Sequence, residues 1–379
     1  MSNWTGKYVI GLTGNIATGK SVVRRMLEHL GAYTIDADAL SHRVISKEAP
    51  GYQPVLDTFG KWLLGPDGQI NRTKLGNLVF ADKDALKQLE GIIHPHVRQA
   101  IDILTRRASQ NVIVIEAIKL LESPLRSQCS TIWVTDAPQQ VQVERLMRKR
   151  GLSQEDAQQR VQMQSAQKEK LAAANVVITN NGSYDDLWKQ VSEAWKHVSP
   201  TEETGPTTQV ITKPAAGSLS LQRGKPRDAH KIADLITRLS KGKQRMTKDQ
   251  AMEAFGDKAF LLLLMEQNLV GIAGWQVENL VARTTDLFLD HGVAPDDALP
   301  LMIHEVERAS GDLQCEASLI FPPIDLVGFD HIWKQLGYER RSPDALGVQA
   351  WEDAALESMP KGSALFFKQL RTDRVLRPI

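Results

Sequence analysis

Short apolar runs alternate with amphipathic stretches along the first 197 residues of the chain. The apolar runs are rich in Val and Ile and read YVIGLTG, NVIVIEA, TIWVTDA and NVVITNN. Between them, stretches such as SVVRRMLEHL repeat their apolar residues at spacings of three and four, which is typical of a helix with one buried face. Continuous apolar strands that alternate with helices predict βαβ units and a doubly wound parallel sheet, the α/β class of fold.

The pattern changes over residues 198–226, which are rich in Pro, Gly, Ser and Thr and show no apolar period. Such a composition predicts a linker. From residue 227 to residue 379 the patterns resume in the order helix, three strand-like runs, helix, strand, helix and a late strand, which predicts a mixed α/β domain. We therefore expect one domain over residues 1–197, a linker over 198–226 and a second domain over 227–379.

The bulk composition argues against several classes of protein. The chain has 379 residues and a formal net charge of +1, which is not the basic excess of a nucleic-acid binder. Its two cysteines, Cys129 and Cys315, lie far apart without the spacing of a zinc site, which favours a reducing cytoplasm. Neither a signal peptide nor an apolar run long enough for a membrane span is visible. We expect a cytoplasmic protein without a nucleic-acid or membrane partner, and the sequence leaves its oligomeric state open.

The segment GLTGNIATGKS, residues 11–21, matches the phosphate-binding loop pattern, with a strand pattern before it and a helix pattern after it. Backbone N–H groups of such a loop bind phosphate oxygens, while Lys20 reaches the β- and γ-phosphates and the Ser21 hydroxyl holds Mg²⁺. The alternative is a tight glycine turn into a helix. We expect a nucleoside triphosphate to contact the following residues: Gly14, Asn15, Ile16, Ala17, Thr18, Gly19, Lys20, Ser21 and Val22.

Two aspartates, Asp36 and Asp38, follow the second apparent strand. In extended backbone, residues i and i+2 face the same side, so both carboxylates are expected to point into one site at the carboxyl end of the sheet. One carboxylate there accepts the proton of an attacking hydroxyl, while the other orients Mg²⁺. The alternative is that one Asp caps the following helix, and the spacing alone does not decide between them.

A basic cluster ends a helical pattern just before Gly151, and Ser153 marks the start of the next helix. The cluster comprises Arg145, Arg148, Lys149 and Arg150. Small kinases use mobile arginines that close over the site, whereas a solvated helix face carries the same residues. Both interpretations stay open at this point.

The segment GIIHPHVR, residues 91–98, contains His94 and His96 without further ligand-type residues at metal spacing, so we expect no metal there. Pro95 is typical of the first turn of a helix. His94 and Arg98 are instead candidates for contact with an anionic substrate.

Together these motifs resemble the dephospho-coenzyme A kinase family. The resemblance covers about residues 7–197 and rests on segments in that family's order and spacing: GLTGNIATGKS, LGAYTIDADALSHRV, FGKWLLGPDGQINRTKLGNLVF, LEGIIHPHVR, ERLMRKRGLSQEDAQQRV and ANVVITNNGS. It implies a phosphate-loop kinase fold with helical substrate and lid insertions. The implied activity is phosphorylation of the ribose 3′-hydroxyl of dephospho-coenzyme A, with ATP and Mg²⁺ as cofactors.

The same resemblance assigns roles to individual residues. It implies four catalytic side chains, with Asp38 as the general base: Asp38, Lys20, Arg145 and Arg150. We assign four more residues to the substrate: Thr13, Asp36, His94 and Arg98.

The chain departs from the family's pattern at three places, one of which is Arg150 or Gly151, where an Asp often follows the lid arginine. Asn15 stands where a loop glycine is usual, which is tolerable if its φ is not positive. VIEAIKLLE stands where D-x-P-L-L is usual, with Ala117 and Lys119 at the Asp and Pro positions and Glu116 as the nearest carboxylate. These changes spare the loop and the proposed base, so they bear on rate and substrate detail more than on reaction type.

From residue 227 onward, the order of elements resembles a GNAT-type acyltransferase fold. That family's pyrophosphate loop is absent, and the matching place reads DHGVAPDDALPLM, where Asp296 and Asp297 would repel a pyrophosphate. Three alternative functions stay open: a kinase of another small metabolite, a non-catalytic nucleotide sensor, and a C-terminal acyltransferase fused to a kinase fold.

Overall fold

The computed structural model describes residues 4–164, 167–198, 218–242 and 244–376. The described chain forms two compact units. The first unit takes its residues from Met1–Ile35, Ser109–Gln276 and Asp286–Val306, and the second from Asp36–Ala108, Val277–Thr285 and Glu307–Ile379. Each unit therefore contains segments from both sides of the predicted domain boundary, and the division into domains at residues 1–197 and 227–379 stays a prediction.

Strands and helices alternate along the N-terminal half. The strands are β1 (Tyr8–Gly14), β2 (Tyr33–Asp36), β3 (Val112–Glu116), β4 (Thr131–Asp136) and β5 (Val176–Thr179). The helices are α1 (Lys20–His29), α2 (Ala37–Val44), α3 (Tyr52–Phe59), α4 (Arg72–Ala81), α5 (Lys83–Arg107), α6 (Gln139–Arg150), α7 (Gln154–Gln162), α8 (Gln167–Ala172) and α9 (Tyr184–Lys196).

The strands β1 to β5 form one sheet in the order β2-β3-β1-β4-β5. Strand β1 pairs in parallel with β3 on one side and with β4 on the other, and β4 pairs in parallel with β5. Apolar side chains of β1 and β4 pack with those of α1 and α9, and Leu12, Leu27 and Trp133 are fully buried. Each buried Leu or Ile contributes about 2 kcal/mol. The predicted doubly wound parallel sheet is confirmed.

Helix α5 differs from its prediction because Pro95 lies in its interior and not in its first turn. The helix begins after Asp82, whose carboxylate accepts hydrogen bonds from the N–H groups of Asp84 and Ala85. An interior proline removes one backbone hydrogen bond. Burial of the face that includes Val97 and Leu104 outweighs this loss and keeps the helix continuous.

The C-terminal half has its own set of elements. The strands are β6 (Leu219–Arg223), β7 (Ala259–Met265), β8 (Asn268–Glu278), β9 (Val281–Leu289), β10 (Ala317–Ile320), β11 (Glu339–Arg341) and β12 (Leu365–Gln369). The helices are α10 (Ala229–Leu239), α11 (Lys248–Ala254), α12 (Pro295–Asp312), α13 (Ile324–Val327), α14 (Asp330–Gln335) and α15 (Gln349–Ser358).

These strands follow the order β11-β12-β10-β9-β8-β7-β6. Pairing is antiparallel for β6 with β7, β7 with β8, β10 with β12 and β11 with β12, and parallel for β9 with β10. The predicted mixed α/β arrangement of this half is confirmed.

Part of the predicted linker is a strand. Residues 219–223 form β6, which pairs with residues 261–265 of β7, whereas residues 199–217 lie outside the described part of the chain. The segment LSLQR has only two apolar residues, so its pattern is too short to predict a strand. Its backbone hydrogen bonds to β7 decide its conformation.

Helices from the two halves pack together inside the first unit. The His29 ring at the end of α1 lies edge-on to Trp188 and to Phe255, with ring centroids 6.5 Å and 6.0 Å apart. Its Nε2 also lies 3.1 Å from the carbonyl oxygen of Phe255. Within the described residues, we find no helix that is both long and apolar enough to span a membrane.

Candidate nucleotide and substrate site

The loop between β1 and α1 adopts the backbone that its glycines permit. Gly14 and Gly19 have φ values of 149° and 98°. A Cβ atom on Gly14 would lie 2.4 Å from Oγ1 of Thr135, and one on Gly19 would lie 2.0 Å from Nδ2 of Asn180. Asn15 is not among the described residues with positive φ, so the replacement of the usual glycine strains no backbone there.

The Lys20 side chain is buried and folds back over the loop. Its Nζ donates to the carbonyl oxygens of Gly14 and Asn15 at 3.1 Å and 3.2 Å. The first turn of α1 contains no acidic residue, so the helix N-terminus presents its N–H groups without a competing carboxylate. This end of α1 is suited to bind an anion.

A buried carboxylate lies next to Ser21. Glu116 ends β3, directly beside β1, and is only 4% exposed. The Ser21 Oγ donates to its Oε1 at 3.3 Å, and Nε of Arg24 donates to its Oε2 at 2.7 Å. A hydroxyl and a carboxylate are oxygen ligands of the kind that Mg²⁺ binds, so these two side chains fit the cation.

Arg145 holds the outer side of the loop. Its guanidinium donates to the carbonyl oxygen of Ala17 at 3.2 Å, and to the backbone and side-chain oxygens of Asn180 at 3.1 Å and 3.0 Å. Asn180 in turn donates to the carbonyl oxygen of Thr18 at 2.9 Å. Burial, and then the neighbouring Arg148, lower the pKa of the Arg145 guanidinium.

The paired aspartates lie in the second unit, and their geometry differs from the prediction. Asp36 ends β2 and Asp38 lies in the first turn of α2, so the two do not share one side of an extended segment. The Asp36 carboxylate accepts a hydrogen bond from the N–H of Ala39 at 2.8 Å and caps α2. The capping alternative therefore holds for Asp36, while the half-buried Asp38 follows on the helix itself.

Comparison with known proteins identifies the family of this chain. A dephospho-CoA kinase from Geobacter sulfurreducens is 40% identical over 190 residues, which cover 96% of that protein and 49% of this chain. The chain belongs to the dephospho-CoA kinase family. The family model described as dephospho-CoA kinase matches residues 8–186.

Two solved structures are also similar to parts of the kinase. TT1252 from Thermus thermophilus is 29% identical with a TM-score of 0.45, and the match covers 51% of this chain and 99% of that one. An acetyltransferase of the GNAT family from Staphylococcus aureus Mu50 is 13% identical with a TM-score of 0.33, and the match covers 41% of this chain and all of that one.

The predicted site residues of the kinase fall into separate groups. The residues 14–22, with Lys20 and Ser21, form the loop and the start of α1, and Arg145 contacts that loop. Thr13 is near the loop as well, because it is the next-to-last residue of β1. Its buried hydroxyl donates to the carbonyl oxygen of Ile118 at 3.1 Å. Arg150 is exposed at the last residue of α6. His94 and Arg98 are exposed one turn apart on α5.

Several described residues that were not predicted as site residues hydrogen-bond to the loop: Glu116, Thr135, Asn180 and Gln164. The Oε1 of Gln164 accepts a hydrogen bond from the Ile16 N–H at 2.7 Å. Glu116 ends β3 and Asn180 directly follows β5, and this position at the carboxyl end of a parallel strand is the signal that points to them. Gln164 lies beyond α7, and no local pattern predicts its contact.

The segment DHGVAPDDALPLM contains the start of a helix. Helix α12 begins at Pro295, and Asp296 and Asp297 occupy its first turn. Negative side chains there compete with an anionic ligand for the helix N-terminus. This arrangement gives no support to acyl transfer at α12.

Proposed function

We propose that this dephospho-CoA kinase transfers the γ-phosphoryl group of ATP to the ribose 3′-hydroxyl of dephospho-coenzyme A, giving coenzyme A and ADP. The proposal rests on the phosphate-binding loop, because this chain, a member of the dephospho-CoA kinase family, has the glycines, the lysine and the helix N-terminus of such a loop. Phosphoryl transfer needs positioning and charge stabilisation more than covalent chemistry.

The loop and Lys20 are suited to hold the phosphates. When ATP enters, its phosphate oxygens replace the carbonyl oxygens of Gly14 and Asn15 as acceptors for Lys20. The Ser21 hydroxyl would hold Mg²⁺, and Glu116 would orient the ion either directly or through a water molecule bound to it. When bound, Mg²⁺ would supply positive charge to the phosphates. Arg145 and Arg150 add positive charge from the lid.

We assign the proton transfer to Asp38. One oxygen of the Asp36 carboxylate accepts the capping hydrogen bond of α2, Asp38 lies in the first turn of that helix, and the resemblance to the kinase family implies Asp38 as the base. As the 3′-hydroxyl oxygen bonds to the γ-phosphorus, its proton passes to the Asp38 carboxylate and the bond from that phosphorus to the bridging oxygen breaks, releasing ADP. Thr13, Asp36, His94 and Arg98 are the proposed substrate contacts.

Two further points belong to this proposal. The free cysteines Cys129 and Cys315 suit a reducing compartment, which supports the cytoplasm as the place of action. The net charge of +1 favours a small-molecule substrate over a nucleic-acid partner.

The test is ADP release by the full chain with ATP, Mg²⁺ and dephospho-coenzyme A, beside the Asp38→Asn variant. We expect turnover that depends on dephospho-coenzyme A and falls by about 10³-fold in the variant. ³¹P NMR of the product identifies the phosphorylated hydroxyl. ATP binding without turnover in the unaltered chain would favour the nucleotide sensor, and turnover with a nucleoside alone would favour a different kinase.

A further inference from the structure

Helix α2 carries the proposed base at one end and a buried ion pair at the other. Arg43, in its last turn, donates from Nη2 to the Glu316 carboxylate at 2.8 Å. The side chains are only 7% and 1% exposed. The Nη1 of Arg43 also donates to the carbonyl oxygen of Asn279 at 2.9 Å. Both partners of Arg43 lie beyond residue 186, where the match to the kinase family ends.

Glu316 is itself held in place on several sides. Its backbone N–H donates to the Leu280 carbonyl oxygen at 2.7 Å, and its own carbonyl oxygen accepts from the N–H groups of Leu370 and Arg371. Its second carboxylate oxygen accepts from the Val375 N–H at 3.1 Å. Residues of the C-terminal half therefore fix the position of the Glu316 carboxylate that accepts the hydrogen bond from Arg43.

From these contacts we propose that Glu316 is a positioning residue for the kinase reaction. Through Arg43 it fixes the C-terminal turn of α2, and thereby the orientation of Asp38 five residues earlier on the same helix. An eight-residue helix has little stability of its own, so its two ends, capped by Asp36 and anchored by Arg43, decide where it lies. This inference rests on the proposed role of Asp38.

The neighbouring helix α5 also contacts residues of the C-terminal half. The Nε2 of Gln314, two residues before Glu316, donates to the buried carbonyl oxygen of Leu104 at 2.9 Å. Arg107, the last residue of α5, forms an ion pair with Asp373 at 3.0 Å. The partners that support α2 and α5 thus all come from the C-terminal half of the chain.

The electrostatics indicate what a substitution at this pair does. When one partner of a buried ion pair is removed, the other charge stays buried without compensation and moves toward water. If the Arg43 side chain moves away from Glu316 and Asn279, the last turn of α2 moves with it. Asp38 is on the same helix, so its carboxylate shifts as well. Proton transfer is sensitive to small displacements of the base.

The experiment compares steady-state kinetics of the full chain and its Glu316→Gln variant with ATP, Mg²⁺ and dephospho-coenzyme A. We expect kcat to fall by about tenfold or more, with the KM for ATP changed by less than about twofold. The acid limb of the kcat–pH profile, which reports the base in the bound enzyme, should also shift. Glu307→Gln is the matched control, because it removes the partly exposed Lys368–Glu307 pair in the same half and should leave kcat within about twofold.

A double-mutant cycle separates positioning from general destabilisation. Once Arg43→Met has removed the charge, adding Glu316→Gln should lower kcat by less than about twofold. Additive losses, a Glu316→Gln variant with normal kcat, or equal losses in Glu307→Gln would each overturn the inference. If Glu316→Gln does not fold, Arg43→Met replaces it, since it removes the other partner of the ion pair, and an unchanged kcat there would overturn the inference too.

The two proposals fail in different ways. If the unaltered chain gives no ADP release that depends on dephospho-coenzyme A, the proposed function fails. If that chain is active and Asp38→Asn is inactive while Glu316→Gln is normal, only the positioning role fails. If Asp38→Asn stays active, Asp38 is not the base and the role of Glu316 toward it is rejected.

Discussion

The Ser21 hydroxyl donates to the Glu116 carboxylate at 3.3 Å, and the same carboxylate accepts a hydrogen bond from Arg24 at 2.7 Å. The end of β3 and the first turns of α1 are thereby connected by one buried acid. By the resemblance, Ala117 stands at the family's usual Asp position, and Glu116 is the carboxylate nearest to it in sequence.

Replacing Glu116 with Gln should weaken the dependence on Mg²⁺ and destabilise the fold. We expect the Mg²⁺ concentration for half-maximal rate to rise by about tenfold and kcat to fall by about 10²-fold, because an amide binds Mg²⁺ more weakly than a carboxylate does. The variant also removes the negative charge that pairs with Arg24, which should lower the free energy of unfolding by about 3 kcal/mol. Mg²⁺ titrations of the rate and urea unfolding measure both, with the exposed Glu122→Gln as control. An unchanged Mg²⁺ requirement would exclude Glu116 from the cation site.

Replacing Gly19 with Ala should weaken nucleotide binding. The added Cβ would lie 2.0 Å from Nδ2 of Asn180, and a φ of 98° strains any residue that has a Cβ. Asn180 must then move, and with it the contacts that hold Arg145 and the loop. Equilibrium binding of a fluorescent ATP analogue should weaken by about 10²-fold.

Gly91→Ala is the matched control for that variant. A Cβ on Gly91 meets no atom within 4 Å, and the residue lies in the interior of α5. This variant should bind nucleotide normally and gain about 0.5–1 kcal/mol of stability from the better helix propensity of Ala. Equal losses of nucleotide affinity in the two variants would show that the loop geometry at Gly19 is not the cause.

Replacing Arg145 with Lys should lower the rate although the positive charge is kept. Lys cannot reach the oxygens of Ala17 and Asn180 at the same time, as the planar guanidinium does. We expect kcat/KM for ATP to fall by about 10- to 100-fold. Arg148→Lys, an exposed neighbour on the same helix, should stay within about twofold. Matching losses in the two variants would indicate a general effect of charge on this helix.

His29 should make the folded state sensitive to acid. Burial lowers the pKa of its ring to about 4, so the ring is neutral in the folded protein and is protonated in the unfolded chain at a higher pH. The unfolded chain therefore binds the additional proton, and stability is lost as the pH falls from about 6.5 toward 4. A shift of this size corresponds to about 3 kcal/mol.

Urea unfolding as a function of pH measures this contribution. His29→Gln keeps a donor for the Phe255 carbonyl oxygen and should flatten the loss of stability between pH 6.5 and about 4. The exposed His230→Gln serves as control and should keep the slope of the unaltered chain. A His29→Gln slope equal to that of the unaltered chain would assign the acid sensitivity to other groups.

The sequence by itself determined the parts of this kinase that depend on neighbours along the chain. Strand β1, the loop and helix α1 follow from an apolar run, fixed glycines and an amphipathic period within about 25 residues. The stop at Gly151 and the restart at Ser153 follow from local capping, since Gly151 has a φ of 62° and the Ser153 hydroxyl accepts from the Asp156 N–H. In each case the deciding interaction joins residues a few positions apart.

Only the tertiary structure decided the features that depend on distant partners. The conformation of β6 depends on β7, and the buried side of α5 keeps that helix intact across Pro95. The different roles of Asp36 and Asp38 depend on where β2 ends. The Arg43–Glu316 pair joins residues 273 positions apart, and no local spacing encodes it. A one-dimensional pattern reports the tendency of a side chain to be buried but never the distant partner that it contacts.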